Sequence, residues 1–126
     1  METDERWIVD GMNVIGSKPD GWWRDRQGAM RSLAETLSEW AGGREVTVVF
    51  DGRPFEVDVD GVRVEFATRR GPNAADDDIV RLVESDPDPS GLRVATSDRD
   101  LSRRVRELGA EVVSSGTFRR LAGCES

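Results

Sequence analysis

The sequence predicts an α/β fold, a mostly parallel β-sheet with helices on both faces, in one domain spanning residues 1–126. Two observations carry this expectation. Short apolar, β-branched runs closed by acidic turns alternate with longer stretches of helical periodicity, and such alternation is the pattern of a parallel sheet covered on both sides. The chain is also 37% hydrophobic and 34% charged over 126 residues, enough for one modest core, and no linker, repeat or low-complexity segment divides it.

Residues 6–10 form the first apolar run, a buried strand stopped by Asp10 and Gly11. From Trp22 to Trp40 the period is helical, with Met30, Leu33, Leu37 and Trp40 on one face, and Gly42-Gly43 ends it. Residues 46–50 are an uninterrupted β-branched run, a second buried strand closed in the same way by Asp51-Gly52. Residues 55–59 and 62–66 flank Asp60-Gly61 and read as a hairpin. A helix begins at Asn73 or Ala74 and runs to Glu84, with acids in its first turn and Ile79, Leu82 and Val83 as its stripe, before Pro87 and Pro89. Residues 92–96 are a third parallel-type strand and residues 97–108 a helix with Leu101, Val105 and Leu108 inward. The Ser97 to Asp100 spacing resembles a capping box at its start. Residues 111–113 make a last short strand, and residues 114–126 hold one short helical turn with a frayed end.

Composition excludes whole classes of chemistry. There is no histidine, so histidine acid/base catalysis, Ser/His/Asp triads and His-ligated metals are impossible from the chain's own residues. One cysteine, Cys124, excludes a disulfide framework and a thiolate zinc cage. Acids dominate, 25 Asp and Glu against 18 Lys and Arg for a net charge of -7, so any chemistry here uses oxygen ligands. The first five residues are acidic where a signal peptide starts basic, and no run of about 18 apolar residues occurs, which predicts a cytoplasmic protein without membrane contact. Positive charge is local: residues 99–120 carry six Arg against three acids.

Several phosphate-handling folds are also excluded. No GKS/T or GxGxxG segment is present. Met12 stands where a haloacid dehalogenase needs its second Asp, and the sole lysine, Lys18, is misplaced for a phosphoacceptor receiver. Asp98-Arg99-Asp100 matches the DxD of a toprim domain, but its first Glu is missing.

In open parallel sheets ligands bind at the carboxyl ends of the strands. Asp10, Asp51 and Asp98 all follow strands and so share one sheet edge, the Asp76-Asp77-Asp78 helix start belongs near it, and Asp100 lies two beyond Asp98. Crowded carboxylates repel unless they are protonated or share a cation. A hard divalent ion, Mg²⁺ or Mn²⁺, suits such ligands better than zinc, and one or two such ions serve phosphodiester cleavage. Within the triplet, Asp76 shares the buried face of Ile79 and Val83, whereas Asp77 stands four before Arg81 and pairs with it. Each residue has a plainer reading: Asp-Gly as a turn, Asp76 to Asp78 and Asp98 as helix-start acids, Asn13 as a turn residue. Their joint occurrence at these stations is what points to a site.

The segments Ile8-Val9-Asp10-Gly11-Met12-Asn13, Val48-Val49-Phe50-Asp51-Gly52, Ala75-Asp76-Asp77-Asp78-Ile79, Thr96-Ser97-Asp98-Arg99-Asp100-Leu101 and Gly109-Ala110-Glu111-Val112-Val113 resemble, in order, the NYN domain of the YacP-like group in the PIN-like nuclease superfamily. The resemblance spans about residues 7–121. It implies a PIN-like three-layer α/β/α sandwich around about five strands, and a Mg²⁺- or Mn²⁺-dependent ribonuclease acting on single-stranded RNA. It places the family's acids on Asp10, Asp51, Asp76 and Asp98, with Asn13 and Thr96 or Ser97 as orienters; Asp100, by its position alone, is a further candidate metal ligand. Family members with longer tails carry more C-terminal helix, so a smaller substrate platform is expected here.

The expected function is endonucleolytic hydrolysis of single-stranded RNA by a metal-activated water; the alternative is a catalytically weak metal- and RNA-binding or ribosome-binding module. Arg69, Arg70, Arg99, Arg103 and Arg104, with Arg106 and Arg119-Arg120 as extensions, are the candidate phosphate contacts. Trp22, beside Trp23, is the candidate base-stacking residue. The ribosome is a further candidate partner, and a monomer or weak homodimer is expected.

Overall fold

In the computed structural model, which describes residues 5–69, 71 and 74–123, the alternating apolar runs become five strands. They are β1 (Arg6–Asp10), β2 (Glu45–Phe50), β3 (Val62–Phe66), β4 (Leu92–Ala95) and β5 (Glu111–Val113). All pair in parallel, in the order β3-β2-β1-β4-β5. The helices are α1 (Gly11–Gly16), α2 (Arg26–Ala41), α3 (Ala74–Glu84), α4 (Arg99–Glu107) and α5 (Ser115–Ala122). No helix among the described residues is long and apolar enough to cross a membrane.

The three layers follow from the two-residue period of the strands. Trp7, Val9, Val46, Val48 and Phe50 join Val14, Met30, Leu37 and Phe118 in one core, so α1, α2 and α5 cover that face. Ile8, Val49 and Val94 join Ile79, Val83, Leu101 and Val105 in the other, beneath α3 and α4. On the first face Trp7 of β1, Trp40 of α2 and Phe118 of α5 meet with ring centroids 5.3–5.4 Å apart, tying both ends of the chain to the central strand.

Five local expectations are corrected. Residues 55–59 are not a strand: β3 runs parallel to β2, so the chain must return to the sheet's opposite end, and residues 51–61 form a crossover instead of a hairpin. The crossover lies on α2, with the Ser38 hydroxyl donating to the Asp60 carbonyl and the Arg31 guanidinium 4.9 Å over the Phe55 ring. Its alternating pattern reflects packing on one side, Phe55, Val57 and Val59 being half-buried while Glu56 and Asp58 are exposed. Gly11 does not make a turn but opens α1. The second helix begins at Arg26, after a 3-10 turn over Trp22–Arg24, with Asp25 as its cap accepting from the Gly28 N–H at 3.0 Å. The cap of α4 is Asp98, accepting from the Leu101 N–H at 2.9 Å, so the Ser97–Asp100 box does not form. Finally, α5 is a full eight-residue helix, capped by Ser114 and anchored by the fully buried Phe118. The alternative helix start at Asn73 lies outside the described residues.

Gly11 is required by space. A Cβ there would stand 2.4 Å from Cδ1 of the fully buried Phe50 and 3.0 Å from the Val49 carbonyl oxygen. Gly11→Ala is therefore expected to destabilise the fold by on the order of 1–3 kcal/mol through overpacking, and Phe50→Leu in the same chain to recover part of it. Thermal unfolding of the single and double variants measures both, and a single variant melting like wild type would show the contact to be soft.

Candidate active site

From β1 the chain builds outward to β2 and β3, then returns to place β4 and β5 on the other side, so the order reverses between β1 and β4. Such a reversal leaves a crevice at the strands' carboxyl ends. Asp10, the last residue of β1, sits at its floor, 4% exposed. Its Oδ2 accepts from the Thr96 hydroxyl at 2.8 Å, and Thr96 Oγ1 in turn accepts from the Asp98 N–H at 3.1 Å. Burial, opposed by the Thr96 hydrogen bond and reinforced by the charges of Asp76, Asp51 and Asp98, pushes the Asp10 carboxyl up to about 7.

Asp76 stands in the first turn of α3 and is 7% exposed. Burial first, then Asp98 and Asp51, raise it to about 6, against a lowering by Arg104 and a further push from Asp100. Asp51, half-buried beyond β2, accepts from the Ala75 N–H at 2.9 Å, which fixes the start of α3 against the sheet. The sequence-predicted acids Asp10, Asp51, Asp76 and Asp98 thus share one electrostatic neighbourhood. Asp100 stands at its margin, exposed and ion-paired with Arg103 at 2.7 Å.

Asn13, in α1, ties three segments together. Its Oδ1 accepts from the Ser97 N–H at 2.8 Å and from the Ser115 hydroxyl at 2.6 Å, while Ser97 Oγ accepts from the Ser115 N–H at 2.9 Å. Because the Ser97 amide is obligatorily a donor, the Asn13 side chain has its oxygen inward and its NH₂ left to donate elsewhere. Ser115, fully buried, escaped sequence reasoning: it lies 102 residues from Asn13 and in no recognisable motif. Ser97 and Thr96 therefore have distinct roles, the first locking Asn13 and the second orienting Asp10.

The donor set suits a hard cation: four carboxylates, no nitrogen or sulfur ligand, and one arginine, Arg104, entering the balance at Asp76. Among the described residues no group of three or more acidic side chains is placed, as the side chains stand, to hold a metal ion.

A description of the YacP-like NYN domain matches residues 7–122. The chain belongs to the YacP-like NYN family. Among solved structures, it is similar to crystal structures of Rae1 (YacP) from Bacillus subtilis. For the W164L mutant the identity is 25% and the TM-score 0.80, covering 95% of this chain and 76% of that one. For the other Rae1 structure the values are 24% and 0.78, covering 95% and 74%. No curated protein matched the sequence. The fold of this YacP-like NYN domain is therefore that of the PIN-like nucleases.

The basic residues around the NYN site divide into groups. Arg104 and Arg69 both pair with Asp77, Arg104 at 3.1 Å, so Asp77 does not pair with Arg81. Arg81 pairs with Asp78 at 3.1 Å, three residues away, and Asp78 also accepts from Thr68. Arg103 bridges Asp100 and Glu107 on its own helix. Arg99 and Arg106 are exposed with no ion pair among the described residues, and Arg70 lies outside them. Arg119 is no surface cation: 8% exposed, it donates to the Val14 carbonyl at 2.9 Å and fastens α5 to α1. Trp22 is half-buried against the first core and Trp23 is 52% exposed. A cleft of about 720 Å³ lies at the opposite, amino-terminal ends of the strands beside Glu5, Arg44 and Gly61. Its charged walls are neutralised by ion pairs such as Arg44 with Glu5 at 3.2 Å, so the acidic edge is the better candidate for chemistry.

Two predictions follow the charges. Asp10 and Asp76 have folded pKa values above the unfolded value near 4, so the native chain binds more protons between about pH 4 and 7 and stability falls as pH rises through that window. Asp86 and Glu5, held below the ordinary range, act oppositely and below that window, adding stability that is lost as pH falls through their folded values. Asp10→Asn keeps an acceptor for Thr96 and is expected to raise metal-free stability at pH 8 by on the order of 2 kcal/mol, with little effect at pH 4. Urea unfolding in EDTA at both pH values measures this, and no gain at pH 8 would mean that the Asp10 charge is not opposed by its surroundings. Arg119→Ala removes a buried side chain and one donor to the Val14 carbonyl, which keeps the Ser17 hydroxyl at 2.7 Å, and should cost about 1–3 kcal/mol through lost packing between α5 and α1, whereas Arg120→Ala should be near neutral; equal melting of the two variants would contradict the buried role.

Proposed function

We propose that this domain is a metal-dependent endoribonuclease that hydrolyses phosphodiester bonds of single-stranded RNA. The observation that carries the reading is Asp10: a buried carboxylate at the sheet's reversal point, raised first by burial and then by three neighbouring acids, and paired with no cation among the described residues. Asp10 and Asp98 would be the central ligands for Mg²⁺ or Mn²⁺, Asp76 would complete the set, and Asp51 would hold a second ion. Such an ion, when bound, lowers the pKa of water and offsets charge on the scissile phosphate.

The remaining roles belong to the chain. Thr96 fixes the Asp10 carboxylate through Oδ2. Asp98 has one oxygen on the α4 cap and the other available, so capping and ligation are compatible. The Asn13 NH₂, oriented by Ser97 and Ser115, donates to a non-bridging phosphate oxygen. Arg99 receives the strand, and Arg69, Arg103 and Arg104 exchange carboxylate partners for phosphate as it enters. No side-chain nucleophile is required, in keeping with the absence of histidine.

End-labelled single-stranded RNA incubated with Mg²⁺ or Mn²⁺ tests this. Internal cleavage should appear with metal, vanish in EDTA, and fall by more than about 100-fold in Asp10→Asn and Asp98→Asn, beyond what loss of an outer-shell partner costs. Cleavage surviving in EDTA or in Asp10→Asn would refute the proposal. No cleavage, with metal raising the melting temperature of wild type but not of Asp10→Asn, would favour the binding-module reading.

A further inference from the structure

The loop between α1 and α2 carries chemistry that the acidic edge does not use. Trp23 and Leu121 are the two large hydrophobic side chains exposed among the described residues. Trp23 meets Trp22 edge to face at 6.0 Å. The Arg24 guanidinium lies 6.0 Å over the Trp23 ring and that of Arg26 lies 5.8 Å over Trp22. Both arginines are exposed and neither pairs with a carboxylate among the described residues. Behind Trp22 is a pocket of about 130 Å³, lined by Ile15, Asp20, Trp22, Ser32, Thr36 and Arg119. That volume is about four times one water's share of the liquid, room for a single planar ring.

We infer that Trp22, Trp23 and this pocket form a subsite for one unpaired nucleobase, with Arg24 and Arg26 holding its flanking phosphates. The inference rests on the reading above that the ligand is RNA. Aromatic faces interleaved with arginines are how proteins hold single strands, because every base has a face to stack and every nucleotide a phosphate. A folded duplex presents neither free base faces nor a base thin enough for the pocket. The walls also select. Asp20 offers a carboxylate to N–H donors and Arg119, whose Nε has no hydrogen-bond partner among the described residues, offers an N–H to an acceptor, so a base edge carrying both fits. The position fits a strand crossing the crevice, since α1 starts at the end of β1 and its Ile15 lines the pocket, about 7.5 Å of helical rise from Asp10.

Short single-stranded RNA titrated into the protein in EDTA, followed by tryptophan fluorescence, tests the subsite without cleavage. Quenching is expected with single-stranded RNA and not with the same sequence annealed to its complement. Trp23→Ala, which alters an exposed side chain, should weaken binding about tenfold, and Thr36→Met, which fills the pocket, should do the same while melting like wild type. Binding unchanged in both variants overturns the subsite and leaves the nuclease reading standing, as does equal quenching by duplex. Binding weakened in both, in a protein that shows no metal-dependent cleavage, supports the subsite and removes the nuclease reading.

Discussion

Asp10 has a threonine hydroxyl for a partner and no paired cation among the described residues, in a setting where water reaches 4% of its surface. A carboxylate so placed disfavours its charged form, and the neighbouring acids add to the penalty. The surrounding structure holds this edge with neutral donors: backbone N–H groups of Ala75, Leu101 and Ser97 bind Asp51, Asp98 and Asn13, and a hydroxyl binds Asp10. Neutral donors fix geometry without cancelling charge. Arginines at this edge of the sheet are bound one layer out, to Asp77, Asp78 and Asp100. The result is a cluster of carboxylates whose mutual repulsion no ion pair among the described residues relieves.

That geometry depends on the two cores. Gly11 lets the first turn of α1 sit directly on Phe50, bringing Asn13 beside the loop after β4. The cluster of Trp7, Trp40 and Phe118 holds α5 on the same face, and α5 in turn presents Ser115 to Asn13 and Arg119 to Val14. The opposite core fixes α3 through Ile79 and Val83, placing Asp76 one turn from its buried stripe and inside the crevice. Removing packing on either face would therefore loosen the acids before it unfolded the sheet.

The strands were legible because each buried run of β-branched residues has one physical use in a parallel sheet, and strand-end acids identified the edge without knowledge of their contacts. Asp76 was separable from Asp77 by helical phase, since Ile79 and Val83 mark the buried face. What failed were features set by distant partners. Residues 55–59 alternate as a strand does, yet their partner is the surface of α2, and alternation alone does not distinguish a neighbouring strand from a helix. Asp77 found Arg104, 27 residues away, in place of Arg81 on its own helix. Arg119 looked like its neighbour Arg120 but is buried by a contact 105 residues distant, and Ser115 left no local trace at all. Local periodicity encodes burial, whereas hydrogen-bond partners across the fold are fixed only once the layers are packed.

An acidic protein that receives a polyanion needs its positive charge held close but not committed. Exposed ion pairs in water are weak, because solvent screens them and ordering two long side chains opposes them. The pairs of Arg69 and Arg104 with Asp77, and of Arg103 with Asp100, are of this half-exposed or exposed kind, so they keep guanidinium groups near the crevice at little gain in stability. An incoming phosphate offers a stronger, charge-assisted partner and releases the carboxylate to solvent. On the proposed reading, Asp77, Asp78 and Asp100 would hold these arginines until phosphate displaces them. The same exchange keeps the net charge displaced by binding small, so affinity on this route should depend less steeply on salt than for a basic protein with as many arginines. Specificity must then come from base contacts and from the shape of the crevice, and not from bulk attraction.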